Sequence, residues 1–327
     1  MGDSLLTVDG LTIEYWTDKG KIRAVDNVSF QLGKSEVLGI VGESGSGKST
    51  LGLSLIGLVP YPGKIVDGNV RINGKDILKL KEDELRNLRG MGVCYVFQDP
   101  MTSLNPVKKI GDHFAEMVQT HEPKVTKKEA LERATKLLKD VGIQPERIND
   151  YPHQLSGGMR QRVMIALAIT LNPSIVVADE PTTALDVIVQ AKILDLLNKL
   201  RDSYGLALLL ITHDLSIVME RSDRIIVMYA GQIVEYAQSK SLYEEPEHPY
   251  TKGLLRSIPN IELVDQKLEA IAGSPPDLLA LPGGCRFWPR CTLAFDRCRR
   301  EEPQLLETRD AHFVRCFLCT AKEGCKT

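Results

Sequence analysis

The chain has 327 residues, 43% hydrophobic and 26% charged, with a net charge of −2 at pH 7, enough for a full-sized core and more than one folded unit. The near-neutral charge gives no electrostatic case for nucleic acid. No apolar run nears the roughly 18 residues of a membrane span, and "MGDSLLTVDG" lacks a basic segment followed by an apolar one, so a cytosolic protein is expected.

Residues 1–35 read as short strands, "LLTVDGLTIEYW" and "IRAVDNVSFQL". The Asn-Gly of "VRINGKDI" (70–77) signals a hairpin. From residue 36 apolar runs alternate with helical segments: "EVLGIVG", "GVCYVFQ", "SIVVADE", "LALLLITH". Continuous Val/Ile/Leu runs suit parallel strands buried on both faces, so the fold class is α/β with an antiparallel β subdomain. Residues 99–170 read as a helical subdomain. Within it "TKKE" (126–129) is a capping box opening "ALERATKLLKDVG", with Gly142 as its stop, and the mixed charges read as a solvated face. After "RIIVMYAGQIVEYA" (224–237) the chain turns Pro-rich. A boundary near 240 then divides a main domain, 1–240, from a C-terminal extension, 241–327.

Glycine inside an element is costly, yet "VGESGSGKST" (41–50) holds three of them directly after an apolar run. Gly42-x4-Gly47-Lys48-Ser49 is the phosphate-loop pattern, here between a strand and the helix "TLGLSLIGL". Successive N–H groups from Gly42 through Ser44, Gly45, Ser46 and Gly47 to Thr50 would cradle phosphates at a helix start. Lys48 would span the β- and γ-phosphates and Ser49 would ligate Mg²⁺. "SIVVADEP" places Asp179 at the carboxyl edge of the sheet to hold Mg²⁺, with Glu180 as general base toward the attacking water. Ser156, as helix N-cap, with Gly157 and Gly158 forms a second anion site that one nucleotide cannot easily share with its own loop.

"LSGGMRQR" within "QLSGGMRQRVMIALAITLNP" (154–173), a helix stopped by Asn172-Pro173, resembles the signature of ATP-binding-cassette (ABC) proteins. Residues 1 to about 240 follow that family's motif order. The resemblance implies a P-loop NTPase cassette with a RecA-like core, working as a head-to-tail dimer with an identical or paralogous cassette, each donating its "LSGG" to the other's γ-phosphate. It implies Tyr15, or its neighbour Trp16, as the adenine-stacking aromatic. Gln98 becomes the switch glutamine contacting Mg²⁺ and water, "ALD" (184–186) the loop that crosses the dimer, and His213 the switch histidine at the γ-phosphate. Alone, His213 would read as a satisfied histidine at a strand end.

"FQDPMTSLNPV" (97–107), "EEPEHPYTKGLLRSIP" (244–259) and "SPPDLLALPGGCRFWPRCTLAFDRC" (274–298) resemble the dipeptide/oligopeptide importer branch. That implies a motor subunit on the cytoplasmic face of the membrane, peripheral beneath two permeases that an external binding protein feeds, with no nucleic acid. Importers of nickel or oligosaccharides share the tail, and a soluble non-transport ABC ATPase is the rival from another class.

Five of the seven cysteines lie between 285 and 319, which in a reducing cytosol favours metal over disulfides. Cys285, Cys291, Cys298 and Cys316 are spaced C-x5-C-x6-C-x17-C. Spacing alone indicates a four-thiolate site for zinc or iron–sulfur. The importer resemblance implies a [4Fe–4S] cluster, with Cys319 the alternative to Cys316 as fourth ligand. Cys94, mid-strand, reads as core.

Overall fold

A computed structural model describes residues 4–99, 103–183, 185–258, 271–320 and 324–325. Strands β1 (Leu6–Thr17) and β2 (Gly20–Leu32) are long, where short strands were expected. In β2 the alternation of buried Val28, Phe30 and Leu32 with exposed neighbours is the period-two signature of a one-sided sheet. β3 (Val37–Val41) is buried at every position and leads into α1 (Lys48–Ser54). β4 (Gly63–Ile72) and β5 (Lys75–Asp76) close the expected hairpin through Asn73 and Gly74, at φ 49° and 77°, the left-handed pair such a turn needs.

Next come α2 (Glu82–Met91), β6 (Val93–Val96), α3 (Ile110–His121), α4 (Lys127–Asp140) and α5 (Gly157–Ala168). β7 (Ile175–Asp179), α6 (Val187–Tyr204), β8 (Ala207–Thr212), α7 (Leu215–Arg221), β9 (Arg224–Tyr229) and β10 (Gln232–Gln238) follow. The C-terminal segment adds α8 (Ser239–Glu244), α9 (Pro249–Arg256), α10 (Asp296–Arg300), β11 (Leu306–Arg309), β12 (His312–Val314), β13 (Cys319–Thr320) and β14 (Gly324–Cys325).

The chain divides into two compact units. The first comprises residues up to 6, 31–36 and 71–209. In it β6 and β7 pair in parallel, with Tyr95 opposite Val177. Thr126 and Glu129 form the capping box of α4, and Gly142 follows that helix at φ 72°. α3 and α4 pack through Ala115, Val118 and Ala130 around Leu171. α5 begins on its Ser156 cap but ends at Ala168, short of the Asn172-Pro173 stop read from sequence; Asn172 itself takes φ 50°.

The second unit comprises residues 7–30, 37–70 and 210–327. β3 runs parallel to β9, β9 turns through Ala230-Gly231 into antiparallel β10, and β10 pairs with β12 and β12 with β11. The C-terminal strands β11 and β12 therefore extend the sheet that contains β3, β9 and β10. At an irregularity in β10 the fully buried Glu235 accepts hydrogen bonds from the N–H groups of Glu247 and His248, and His312 Nε2 lies 2.8 Å away. A buried carboxylate so satisfied fixes the C-terminal segment to the sheet, because removing any partner would leave it desolvated. Among the described residues no helix is long and apolar enough to cross a membrane.

Candidate functional site

The phosphate loop lies in the second unit. Gly47, the N-cap of α1, takes φ 98°, and a Cβ there would stand 2.1 Å from the Ala24 carbonyl oxygen. A Cβ on Gly42 would stand 2.2 Å from that of Met228. These two glycines are thus required by close backbone approach beneath the loop. Gly45, at φ 79°, has open space before it. The floor is completed by the Gly231 N–H, which donates to the Ser46 carbonyl at 3.0 Å. Lys48, only 5% exposed, donates to the carbonyls of Gly42 and Glu43 at 2.7 and 3.0 Å and lies 3.3 Å from Ser46 Oγ. A buried ammonium demands such partners, and here the loop's own oxygens supply them.

Ser44, Gly45 and Ser49 are exposed on the loop. The Tyr15 hydroxyl lies 3.4 Å from Thr50 Oγ1, at the end of the motif. Trp16 is half exposed and carries the Lys21 ammonium 4.0 Å above its ring. Tyr15, then, is the aromatic directed at the loop. His213 is exposed just beyond the end of β8, before Asp214 caps α7.

The acidic strand end lies in the first unit. Asp179, 5% exposed, ends β7 and accepts from the Tyr95 hydroxyl at 2.7 Å. Glu180 takes φ 45°, a left-handed conformation costly for a residue with a Cβ and concentrated at functional sites. Its Oε2 accepts from Gln98 Nε2 at 3.0 Å and from the Thr183 hydroxyl at 2.8 Å. The structure thereby brings Gln98 and Glu180 together. Tyr95 and Thr183 were missed in the sequence reading; Tyr95 looked like one more strand residue, and only the β6–β7 register reveals its partner.

In the same unit Ser156 caps α5, accepting from the Met159 N–H at 3.4 Å. A Cβ on Gly158 would come 2.8 Å from Val189 Cγ1, so that glycine lets the start of α5 approach α6. Gly157 meets nothing closer than Leu185 Cδ2, at 3.5 Å. Asp186 caps α6 through the Val189 N–H at 2.9 Å. Ala184 of "ALD", and residues 100–102 of "FQDPMTSLNPV", lie outside the described residues.

Cys285, Cys291, Cys298 and Cys316 line one cavity, with Phe287 and Trp288 among its walls. Burial pushes the thiols of Cys285 and Cys316 up to about 11 and about 12, and raises Cys291. Among the described residues no three His, Cys, Asp or Glu side chains are arranged to hold one metal ion. That withholds support from the expected metal site, zinc included, because tetrahedral zinc needs all four sulfurs about 2.3 Å from one centre. Cys319 is disulfide-bonded. The tail thus carries a disulfide where the cysteine clustering was expected to favour metal, and in that state Cys319 offers no thiolate as the alternative fourth ligand. Cys94 sits within β6.

A phosphate loop, an acidic strand end and a Ser-Gly-Gly helix start on an α/β core define an ATP-binding cassette. A family model described as "ABC transporter" matches residues 25–183, and one described as "Oligopeptide/dipeptide transporter, C-terminal region" matches residues 234–298. The chain is 50% identical over 318 residues to the oligopeptide transport ATP-binding protein AppD of Bacillus subtilis (strain 168), covering 96% of this chain and 97% of that protein. It is 46% identical over 315 residues to the dipeptide transport ATP-binding protein DppD of Escherichia coli (strain K12), covering 96% of each. A solved structure of the ATP-binding cassette MJ0796, dimeric and bound to ADP and Pi after hydrolysis, superposes with a TM-score of 0.64 at 32% identity, over 72% of this chain and 98% of that one. The chain belongs to the ATP-binding proteins of oligopeptide/dipeptide ABC transporters, ATPases coupled to transport.

Proposed function

We propose that this chain binds and hydrolyses ATP to power the import of di- or oligopeptides. Peptide is favoured over nickel or oligosaccharide by the match of residues 234–298 to the oligopeptide/dipeptide C-terminal region. Relatives named for peptide transport along nearly the whole chain favour it too. They also weigh against a soluble non-transport ATPase.

In this reading Lys48 leaves the loop carbonyls for the β- and γ-phosphates, the N–H groups of 42–50 cradle them, and Ser49 and Asp179 hold Mg²⁺. Tyr15 stacks on the base. Glu180 takes the proton of the attacking water while Gln98, its hydrogen-bond partner, orients that water. His213 contacts the γ-phosphate. Ser156, Gly157 and Gly158 serve the nucleotide of a second cassette in a head-to-tail dimer; the solved relative, too, is dimeric. Closure on ATP and opening after loss of the γ-phosphate would drive two permeases at the cytoplasmic face of the membrane.

Residues 241–327 form a functional extension beyond the 1–240 cassette, and the thiol ring within it would hold a [4Fe–4S] cluster. Support comes from backbone N–H groups directed at sulfur: Phe287 at Cys285, Leu293 at Cys291 and Leu318 at Cys316. Trp288 lines the same cavity, and its buried Nε1, without a hydrogen-bond partner among the described residues, is a further donor. When bound, the cluster would supply structural cross-linking of the tail.

The function is tested by growth on a dipeptide as sole source of a required amino acid. Loss of this chain should abolish growth, and wild type but not Lys48→Ala should restore it. Unimpaired dipeptide use with lost nickel or oligosaccharide uptake would overturn the peptide reading.

A further inference from the structure

Arg290 stands 247 positions from the phosphate loop in sequence, yet its side chain is 5% exposed and grips Glu43, the residue after Gly42. Nη1 donates to Glu43 Oε2 at 2.6 Å and Nη2 to Oε1 at 3.0 Å. Two parallel charge-assisted bonds, with Arg290 buried and Glu43 partly exposed, fix orientation as well as distance. The guanidinium is itself anchored, since Nε donates to the Ala272 carbonyl at 3.0 Å and the group lies over the Tyr229 ring.

Glu43 is held through its main chain as well. Its N–H donates to the Tyr250 hydroxyl at 3.0 Å, and its carbonyl accepts from Lys48 Nζ and from the Ser46 N–H. The first turn of the loop is thus pinned by two residues of the C-terminal segment, Tyr250 and Arg290. Pairing also has an electrostatic consequence. A bare carboxylate in a loop built to receive phosphates would repel them; Arg290 cancels it.

The same turn walls the thiol cavity. Arg290 closes the short 3-10 turn Trp288–Arg290, whose first N–H donates to the Cys285 carbonyl at 3.1 Å, and the following Cys291 N–H donates to the Trp288 carbonyl at 3.2 Å. Cys285, Trp288 and Cys291 all line that cavity. We propose that Arg290 is a positioning residue for the nucleotide: it neutralises and fixes Glu43, and through the 285–291 turn the thiol ring controls how tightly the phosphate loop holds ATP. The proposal rests on the nucleotide-binding role given above to that loop.

The test titrates a fluorescent ATP analogue into the full chain, with thermal unfolding to confirm each variant is folded. Arg290→Gln should weaken affinity by about tenfold, since it leaves the partly exposed Glu43 carboxylate uncompensated beside the phosphates. Arg290→Lys, which keeps the charge but loses the fork, should fall between wild type and Arg290→Gln, and it stands in if the latter does not fold. Glu43→Gln added to Arg290→Gln should restore affinity to within about threefold of wild type, a rescue that purely structural damage would not allow. Cys291→Ser should weaken affinity alone and change nothing in that double variant. Wild-type affinity in Arg290→Gln, or no rescue by Glu43→Gln, overturns the clamp. An unaffected Cys291→Ser overturns its control by the thiols. If the wild-type chain binds no analogue at all, the underlying nucleotide reading fails instead.

Discussion

The Tyr95 hydroxyl donates to Asp179 Oδ2 at 2.7 Å, joining the adjacent strands β6 and β7 where β7 ends. Burial and the neighbouring carboxylate push the Tyr95 phenol far above its ordinary range, so it stays a donor at every working pH. Tyr95→Phe leaves Asp179 buried with one donor fewer, at a cost of about 1–2 kcal/mol in stability. Turnover should fall while nucleotide affinity holds, because in the proposed mechanism Asp179 would lose its orientation toward Mg²⁺. Denaturant unfolding and steady-state ATPase assays check this; a variant matching wild type in both would show that the contact is idle.

Glu180 sits in a left-handed conformation with Gln98 and Thr183 on one carboxylate oxygen. Glu180→Gln keeps the shape and removes the proposed base, so ATP should still bind while hydrolysis drops by a hundredfold or more, about the scale of general-base catalysis. Stalled before hydrolysis, the variant should collect as an ATP-bound dimer in size-exclusion chromatography. Hydrolysis at the wild-type rate would remove Glu180 from the mechanism.

Gly158 lets the start of α5 meet Val189. Gly158→Ala should destabilise the chain by about 1–3 kcal/mol through overpacking, and Val189→Ala in the same chain should recover most of that loss. Differential scanning calorimetry of wild type and the single and double variants measures it. An undiminished single variant would mean that the glycine is there for phosphate approach alone.

Protein purified without oxygen should carry about four irons and four sulfides, as a [4Fe–4S] cluster requires, with broad visible absorbance. Cys298→Ser should lose both metal and colour. Stoichiometric zinc, or no metal, would show that the thiol ring has another role.

Much of this was legible in the sequence because the signals are local. The phosphate loop follows from glycine and lysine spacing, the α4 capping box from Thr126 and Glu129, and the β4–β5 hairpin from Asn73-Gly74. Two kinds of feature were not legible. The end of α5 at Ala168 depends on packing that intrinsic propensity does not encode. The Tyr95–Asp179 and Arg290–Glu43 contacts join residues 84 and 247 positions apart, so no periodicity links them. Nor does cysteine spacing reveal that Cys319 is disulfide-bonded while Cys316 faces the cavity.

ATP hydrolysis by this chain is proposed to drive peptide across a membrane. The most direct test reconstitutes the chain with its permeases and binding protein in proteoliposomes and follows a radiolabelled dipeptide, with ATP on the cassette side. Uptake should require ATP and stop with Glu180→Gln. Uptake that persists without ATP, or with Glu180→Gln at the wild-type rate, would contradict it.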